Sequence, residues 1–256
     1  MRLIDTHCHL TNARLAGQTQ RVLDAAREAG VVGVICASSD IDESRKALAL
    51  ADSNTDVWFI AGVHPHEAKD VQERYLTQLQ ELLGHPRCVG AGEIGLDYHY
   101  DFSPRDAQRG VFAGQLALAS ELGKPIVIHT REAFDDTLAI LRESGVDGGR
   151  VVFHSFTEGP DNARRALDFG ATISFSGIVT FANAQDVRAS ALLVPQDRLL
   201  VETDAPYLSP EPVRKMKTNE PANVAHVCRF LAQLRGVPAD DLAQATTANA
   251  KKFFGC

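Results

Sequence analysis

No apolar run in the 256-residue chain approaches the roughly 20 residues that a helix needs to cross a bilayer, so a membrane span is not expected. Positive charge is in deficit: 26 Lys and Arg face 33 Asp and Glu, for a formal net charge of −7 at pH 7. Long-range capture of a polyanion by the whole surface is thereby disfavoured, and any contact with nucleic acid has to be local. Cysteine pairing signals are missing too. Cys8, Cys36, Cys88, Cys228 and Cys256 are odd in number and widely spaced, with no Cys-x-x-Cys, which argues against a disulfide scaffold or zinc ribbon and for reduced thiols. A strand-like run begins at residue 2 and leaves no room for a signal peptide, so a cytoplasmic location is expected. There is no low-complexity stretch, linker or repeat of a usual period, which predicts one domain over residues 1–256.

Hydrophobic residues make up 45% of the chain, enough for one large core in the size range of an eight-stranded α/β barrel. Eight runs rich in Val, Ile, Leu or Phe recur along it, at residues 3–6, 31–37, 57–63, 88–93, 125–129, 151–154, 171–176 and 199–203. Helical patterns lie between them. Ser103-Pro-Arg-Asp106 reads as an N-cap with Pro at the first helical position, followed by a stripe of Phe112, Leu116, Ala119 and Leu122 that Gly123 stops. Val71, Tyr75, Leu79, Leu82 and Leu83 form another stripe, closed by Gly84. Strands apolar on both faces, alternating with helices, predict parallel βα units wound into a single (β/α)8 TIM barrel of the α/β class. An open doubly wound sheet is the alternative.

His7, His9, Glu93, His129, His154 and Asp204 all fall at the C-terminal ends of these runs. In Leu3-Ile-Asp-Thr-His-Cys-His-Leu10, strand alternation sends His7 and His9 to one face and Cys8 to the other. A barrel gathers all its strand ends around one mouth, where active sites of this fold are built. Taken singly, a buried His is more often a hydrogen-bonded core residue, and Asp204 before Ala-Pro is a turn or cap residue as readily as a ligand. Six such groups together need a cation to satisfy them. Imidazole suits zinc, manganese or iron, and carboxylate keeps magnesium open.

Around these residues stand the words Gly62-Val-His-Pro-His66, Gly92-Glu-Ile-Gly-Leu-Asp97, Ile128-His-Thr-Arg131, His154-Ser-Phe156, Val201-Glu-Thr-Asp-Ala-Pro-Tyr-Leu208 and Asn219-Glu-Pro221. With the first strand they make the chain resemble the TatD family of metal-dependent deoxyribonucleases, from residue 2 to Phe253. The resemblance implies a TIM-barrel hydrolase with two divalent ions per chain (Mg, Mn or Zn) that cleaves phosphodiesters, as a 3′ to 5′ exonuclease on single-stranded DNA or RNA. Carried over by motif, His7, His9, Glu93 and Asp204 would hold one ion and Glu93, His129 and His154 the other. Two oxygens suit Glu93 to a bridging role. Asp204 would orient a metal-activated water and take its proton.

His64 and His66 close the third run. His64 is assigned to the catalytic residues beside Asp204 and Glu93, and His66 to the substrate phosphate; a His-Pro-His turn is the structural alternative. Arg131 has a planar fork suited to phosphate, with a surface ion pair as its alternative. Arg214-Lys-Met-Lys217 puts three positive charges in four residues beside the last run, and Lys215 and Lys217 are read as backbone contacts, although such a run is usually a solvated face. Asp5 and Glu202 share faces with His7 and Asp204 and are read as their hydrogen-bonding supports. Among the aromatics, Tyr98 or Tyr207 would meet a base. Departures from the family pattern include Thr11 for an acid, Glu158 for a Gly and Met216 where the basic loop usually has Gly. The expected partner is a single-stranded nucleic acid, with no membrane and a monomeric chain. Two other readings are hydrolysis of the ester of D-aminoacyl-tRNA and a barrel that binds metal without turnover.

Overall fold

All eight apolar runs fold as strands: β1 (Leu3–Cys8), β2 (Val31–Cys36), β3 (Val57–Ala61), β4 (Cys88–Asp97), β5 (Ile126–Arg131), β6 (Val151–Phe153), β7 (Thr172–Phe175) and β8 (Leu199–Val201). The computed structural model describes residues 1–256. Its strands follow one another in a single sheet ordered β1 to β8, and the pairs β1–β2, β3–β4, β4–β5, β5–β6 and β7–β8 are parallel. A doubly wound sheet reverses its strand order at a switch point, whereas this order runs straight through, as in a (β/α)8 TIM barrel. Nine helices accompany the strands: α1 (Thr19–Glu28), α2 (Ile41–Ser53), α3 (Tyr75–Leu83), α4 (Arg105–Glu121), α5 (Phe134–Glu143), α6 (Pro160–Phe169), α7 (Gln185–Leu193), α8 (Val224–Arg235) and α9 (Ala239–Phe254).

By contacts the chain divides into two units, Met1–Cys36 with His154–Cys256, and Ala37–Phe153. In the first, β8 leads back to β1: the Asp204 amide donates to the His7 carbonyl at 2.9 Å, the His9 amide donates to the Ala205 carbonyl, and Cys8 bridges Ala205 in parallel. The ends of the first and last strands are thus locked together by backbone, and their side chains share one rim. Phe175, Leu3, Leu199 and Leu231 are fully buried here, each contributing about 1.5–3 kcal/mol of hydrophobic stabilisation.

In the second unit β4 is buried along its whole length and extends to Asp97, four residues beyond the predicted end at Glu93. Gly95 makes this possible. Its φ is 144°, and a Cβ there would lie 1.9 Å from the His129 carbonyl oxygen, so only glycine lets β4 run this close to β5. Helix α4 is tied to neighbouring backbone by two buried glutamines two turns apart. Gln115 accepts from the Val63 amide at 2.7 Å and donates to its carbonyl at 3.0 Å; Gln108 accepts from the Asp97 amide at 2.8 Å and donates to its carbonyl at 3.1 Å. Each supplies the partners that a strand neighbour would otherwise give.

The Ser103 cap read from the sequence does not form. The helix starts at Arg105, and the Ser103 hydroxyl instead donates to the His66 carbonyl at 2.7 Å and accepts from the Lys69 amide at 3.1 Å. The α3 stripe forms without Val71, which packs against Val63, Ala68 and Val111 instead.

Candidate metal centre

Two clusters of imidazole and carboxylate groups form, one in each unit. In the first, His7 ends the buried face of β1 and His9 follows it, with ring centroids 5.1 Å apart. Asp204 places Oδ1 3.5 Å from His9 Nε2 and 3.9 Å from His7 Nε2. Its φ is 56°, a left-handed conformation that Asp tolerates better than most residues and that is commonly retained at functional sites. Burial opposes the charge on the Asp204 carboxyl, but the hydrogen bond from His9 and the nearby imidazoles of His154 and His7 outweigh it and hold the group below its ordinary range. His154 stacks on His7 at 3.9 Å with a 15° tilt, and its Nδ1 faces Glu202 Oε1 at 3.2 Å. That carboxylate also accepts from the Ser155 amide at 2.7 Å, so Glu202 orients the His154 ring from behind.

Asp5 bonds chiefly to Thr203 and accepts from the His7 amide only at 3.5 Å. It accepts from the Thr203 amide at 2.8 Å and from the Thr203 hydroxyl at 2.6 Å, anchoring the residue before Asp204. Burial pushes its carboxyl up to about 8 in spite of those hydrogen bonds.

The second cluster is built on β4 and β5. His129 Nδ1 lies 2.8 Å from Glu93 Oε1, and its Nε2 lies 3.0 Å from Asp97 Oδ2. The same Asp97 oxygen meets His66 Nε2 at 3.0 Å, while Oδ1 accepts from the amides of His99 and Tyr100 at 3.0 and 2.8 Å. Burial raises the Asp97 carboxyl, yet the hydrogen bonds from His129, His66 and the Tyr100 amide prevail and hold it far below the ordinary carboxylate range. With the Asp97 carboxylate against one edge of His129, the other edge turns to Glu93, the carboxylate-histidine arrangement that orients metal-binding imidazoles.

His64 Nε2 lies 3.4 Å from Glu93 Oε1, close enough to count as a third donor beside Glu93 and His129. Its hydrogen bonding favours another role. Nδ1 accepts from the His66 amide at 3.1 Å, which assigns the ring proton of the neutral tautomer to Nε2 and makes that atom a donor. Burial drives His64 down to about 4 despite Glu93 nearby, so the ring is neutral at physiological pH.

The donor sets fit divalent cations. His7, His9 and Asp204 present ligand atoms within 4.8 Å of one another, as do His7, His154 and Glu202, and His64, Glu93 and His129. The imidazole donors suit zinc or iron, and the carboxylates keep manganese and magnesium open. Arg131 lies at the end of β5 with its guanidinium 4.8 Å from the centre of the Tyr100 ring. Lys215 and Lys217 are exposed on the segment after β8, where the adjoining Arg214 lies 3.7 Å over the Phe181 ring.

A protein-family model, TatD related DNase, matches residues 4–255. The chain belongs to the TatD family. The uncharacterized metal-dependent hydrolase YabD of Bacillus subtilis (strain 168) is 37% identical over 252 residues, 98% of both chains. The 3′-5′ ssDNA/RNA exonuclease TatD of Edwardsiella piscicida is 38% identical over 259 residues, covering 98% of this chain and 99% of its own. A crystal structure of the TatD homologue YjjV from Escherichia coli K12 superposes with a TM-score of 0.93 at 30% identity over 100% of this chain and 98% of that one. The chain is thus a TatD-family metal-dependent hydrolase on a TIM-barrel fold.

Asp97 was not among the candidates read from the sequence, although Glu93 and Asp97 are four residues apart and alternation along a strand sends both to one face. An apolar run that ends at Glu93 leaves Asp97 outside the strand, whereas β4 includes it. Tyr98 is no base platform: its hydroxyl donates to Asp136 at 2.7 Å and Arg105 covers its ring at 4.2 Å. Tyr207 is 39% exposed, 6.0 Å from His9 between ring centroids.

Proposed function

We propose that the protein is a 3′ to 5′ exonuclease on single-stranded DNA, with RNA as a related substrate, working with two divalent ions per chain. The observation that carries this is the pairing of mixed donors, His7, His9 and Asp204 in one cluster and Glu93 and His129 in the other. The 38% identity to a relative named as a single-strand exonuclease supports the choice of phosphodiester over other esters. The span of the family match supports treating residues 1–256 as one catalytic domain.

His7, His9 and Asp204, with His154 beside His7, would hold one ion, and Glu93 with His129 the other. Bound divalent ions lower the pKa of water and neutralise charge at phosphoryl oxygens. Asp204, kept ionised by its imidazole neighbours, takes the proton of the attacking water. His64, whose Nε2 lies 3.4 Å from Glu93, would donate its Nε2 proton to a phosphoryl oxygen of the bound strand. Arg131, His66, Lys215 and Lys217 seat phosphates of the strand, giving the local positive charge that a chain of net charge −7 requires.

Asp204→Asn removes the proton acceptor while keeping the side-chain shape. Turnover on single-stranded DNA should fall about 100- to 10,000-fold even at metal concentrations that saturate the variant. A variant with normal metal content and full turnover would refute the assignment.

A further inference from the structure

The segment that joins β4 to α4 carries two exposed aromatic rings. Tyr100 and Phe102 are 46% and 56% exposed, and they stack on each other with centroids 5.1 Å apart and a 21° tilt. The shelf is fixed to the second cluster. The Tyr100 amide donates to Asp97, and the His66 ring meets Tyr100 and Phe102 edge-on at 5.4 and 4.8 Å while its Nε2 faces the same carboxylate. One imidazole therefore separates the exposed rings from the Asp97–His129 pair. Ser103, through its hydrogen bond to the His66 carbonyl, holds the other end of the segment.

Beside the rings lies a cation with no carboxylate partner. The Arg131 guanidinium sits 4.8 Å over Tyr100 and makes no ion pair, whereas Arg105 and Arg109 of the same surface are paired with Asp101 and Asp136. A flat apolar face next to an unneutralised guanidinium is complementary to a flat ring joined to an anion, which is the chemistry of a nucleotide. Because the rings are already held by the fold, little ordering cost accompanies binding.

We propose that Tyr100 and Phe102 form a stacking platform for an unpaired nucleobase of a single-stranded nucleic acid, with the adjoining phosphate on Arg131. This rests on the nucleic-acid reading above and adds to it where a base lies. Every base has a π face, so the platform takes bases without reading their edges. Phe102, the more exposed ring, offers the outer surface.

The test is binding in EDTA, where no strand is cut. A short oligodeoxythymidine carries 2-aminopurine at its last or next-to-last 3′ position, and a matching strand carries an abasic residue there. Wild-type protein should quench the 2-aminopurine on binding. Phe102→Ala should abolish the quench and weaken that strand about tenfold, as loss of one stacked base implies, and Phe102→Trp should restore both. The abasic strand should bind wild type and Phe102→Ala alike. The proposal is overturned if Phe102→Ala quenches as wild type does, if it weakens both strands equally, or if wild type binds neither strand. Quenching without metal-dependent cleavage would reject the exonuclease and keep the platform; cleavage without quenching would do the reverse.

Discussion

Asp97 ties the second cluster together, since one carboxylate receives two imidazoles and two backbone amides. Replacing it with Asn keeps the shape but removes the charge that fixes His129. Asp97→Asn should lower metal affinity and turnover about 10- to 100-fold, measured by metal titration and kcat; wild-type values in both would show that His129 is oriented by something else. The approach of His7 to His9 was legible because alternation along a strand is rigid: once Leu3–Thr6 is a strand, His7 and His9 must share a face. Phe102 was not legible. Its exposure is set by the path of the segment after β4, with Asp101 at φ 49° between the two rings, and nothing in residue order announces that path.

Helix α4 sets the position of the chain segments that carry His64, His66 and Asp97. Gln115 holds both polar groups of Val63, and Gln108 holds both of Asp97. Gln108→Leu or Gln115→Leu would leave a buried amide and carbonyl without partners, and each should cost about 1–3 kcal/mol of stability in urea unfolding. A change within a few tenths of a kcal/mol would contradict the clamp. Strands were placed well from the sequence because the barrel buries both their faces and leaves continuous apolar runs. Their ends were less legible: β4 continues through Ile94 and Leu96 because Gly95 permits close approach to His129, a tertiary requirement that the run itself does not encode. Ser103 misled for a related reason, since a hydroxyl that can cap a helix can equally join two loops.

Across the chain, the free cysteines behave as small core residues. Cys8, Cys36, Cys88 and Cys228 are buried while Cys256 is partly exposed. Burial pushes the thiol of Cys88 up to about 12 and that of Cys228 up to about 11. Native protein at pH 8 should therefore be alkylated by iodoacetamide at Cys256 alone, as mass spectrometry of the labelled peptides would show. The linkage sign follows: above pH about 9 the unfolded thiols ionise and the folded ones do not, so these two groups lower stability as pH rises toward 11 and 12. The barrel was legible from the alternation of eight apolar runs with helical patterns, and the polar residues at their ends marked its chemistry. The substrate is less so, because the same donors serve more than one ester. The most direct measurement is to follow 3′ shortening of a 5′-end-labelled single strand by the purified chain, with D-aminoacyl-tRNA in parallel, before EDTA, after EDTA, and after return of Mg, Mn or Zn. Stepwise shortening from the 3′ end that EDTA stops and a divalent ion restores is the predicted result. An intact strand under every metal, or cutting indifferent to EDTA, would contradict the account.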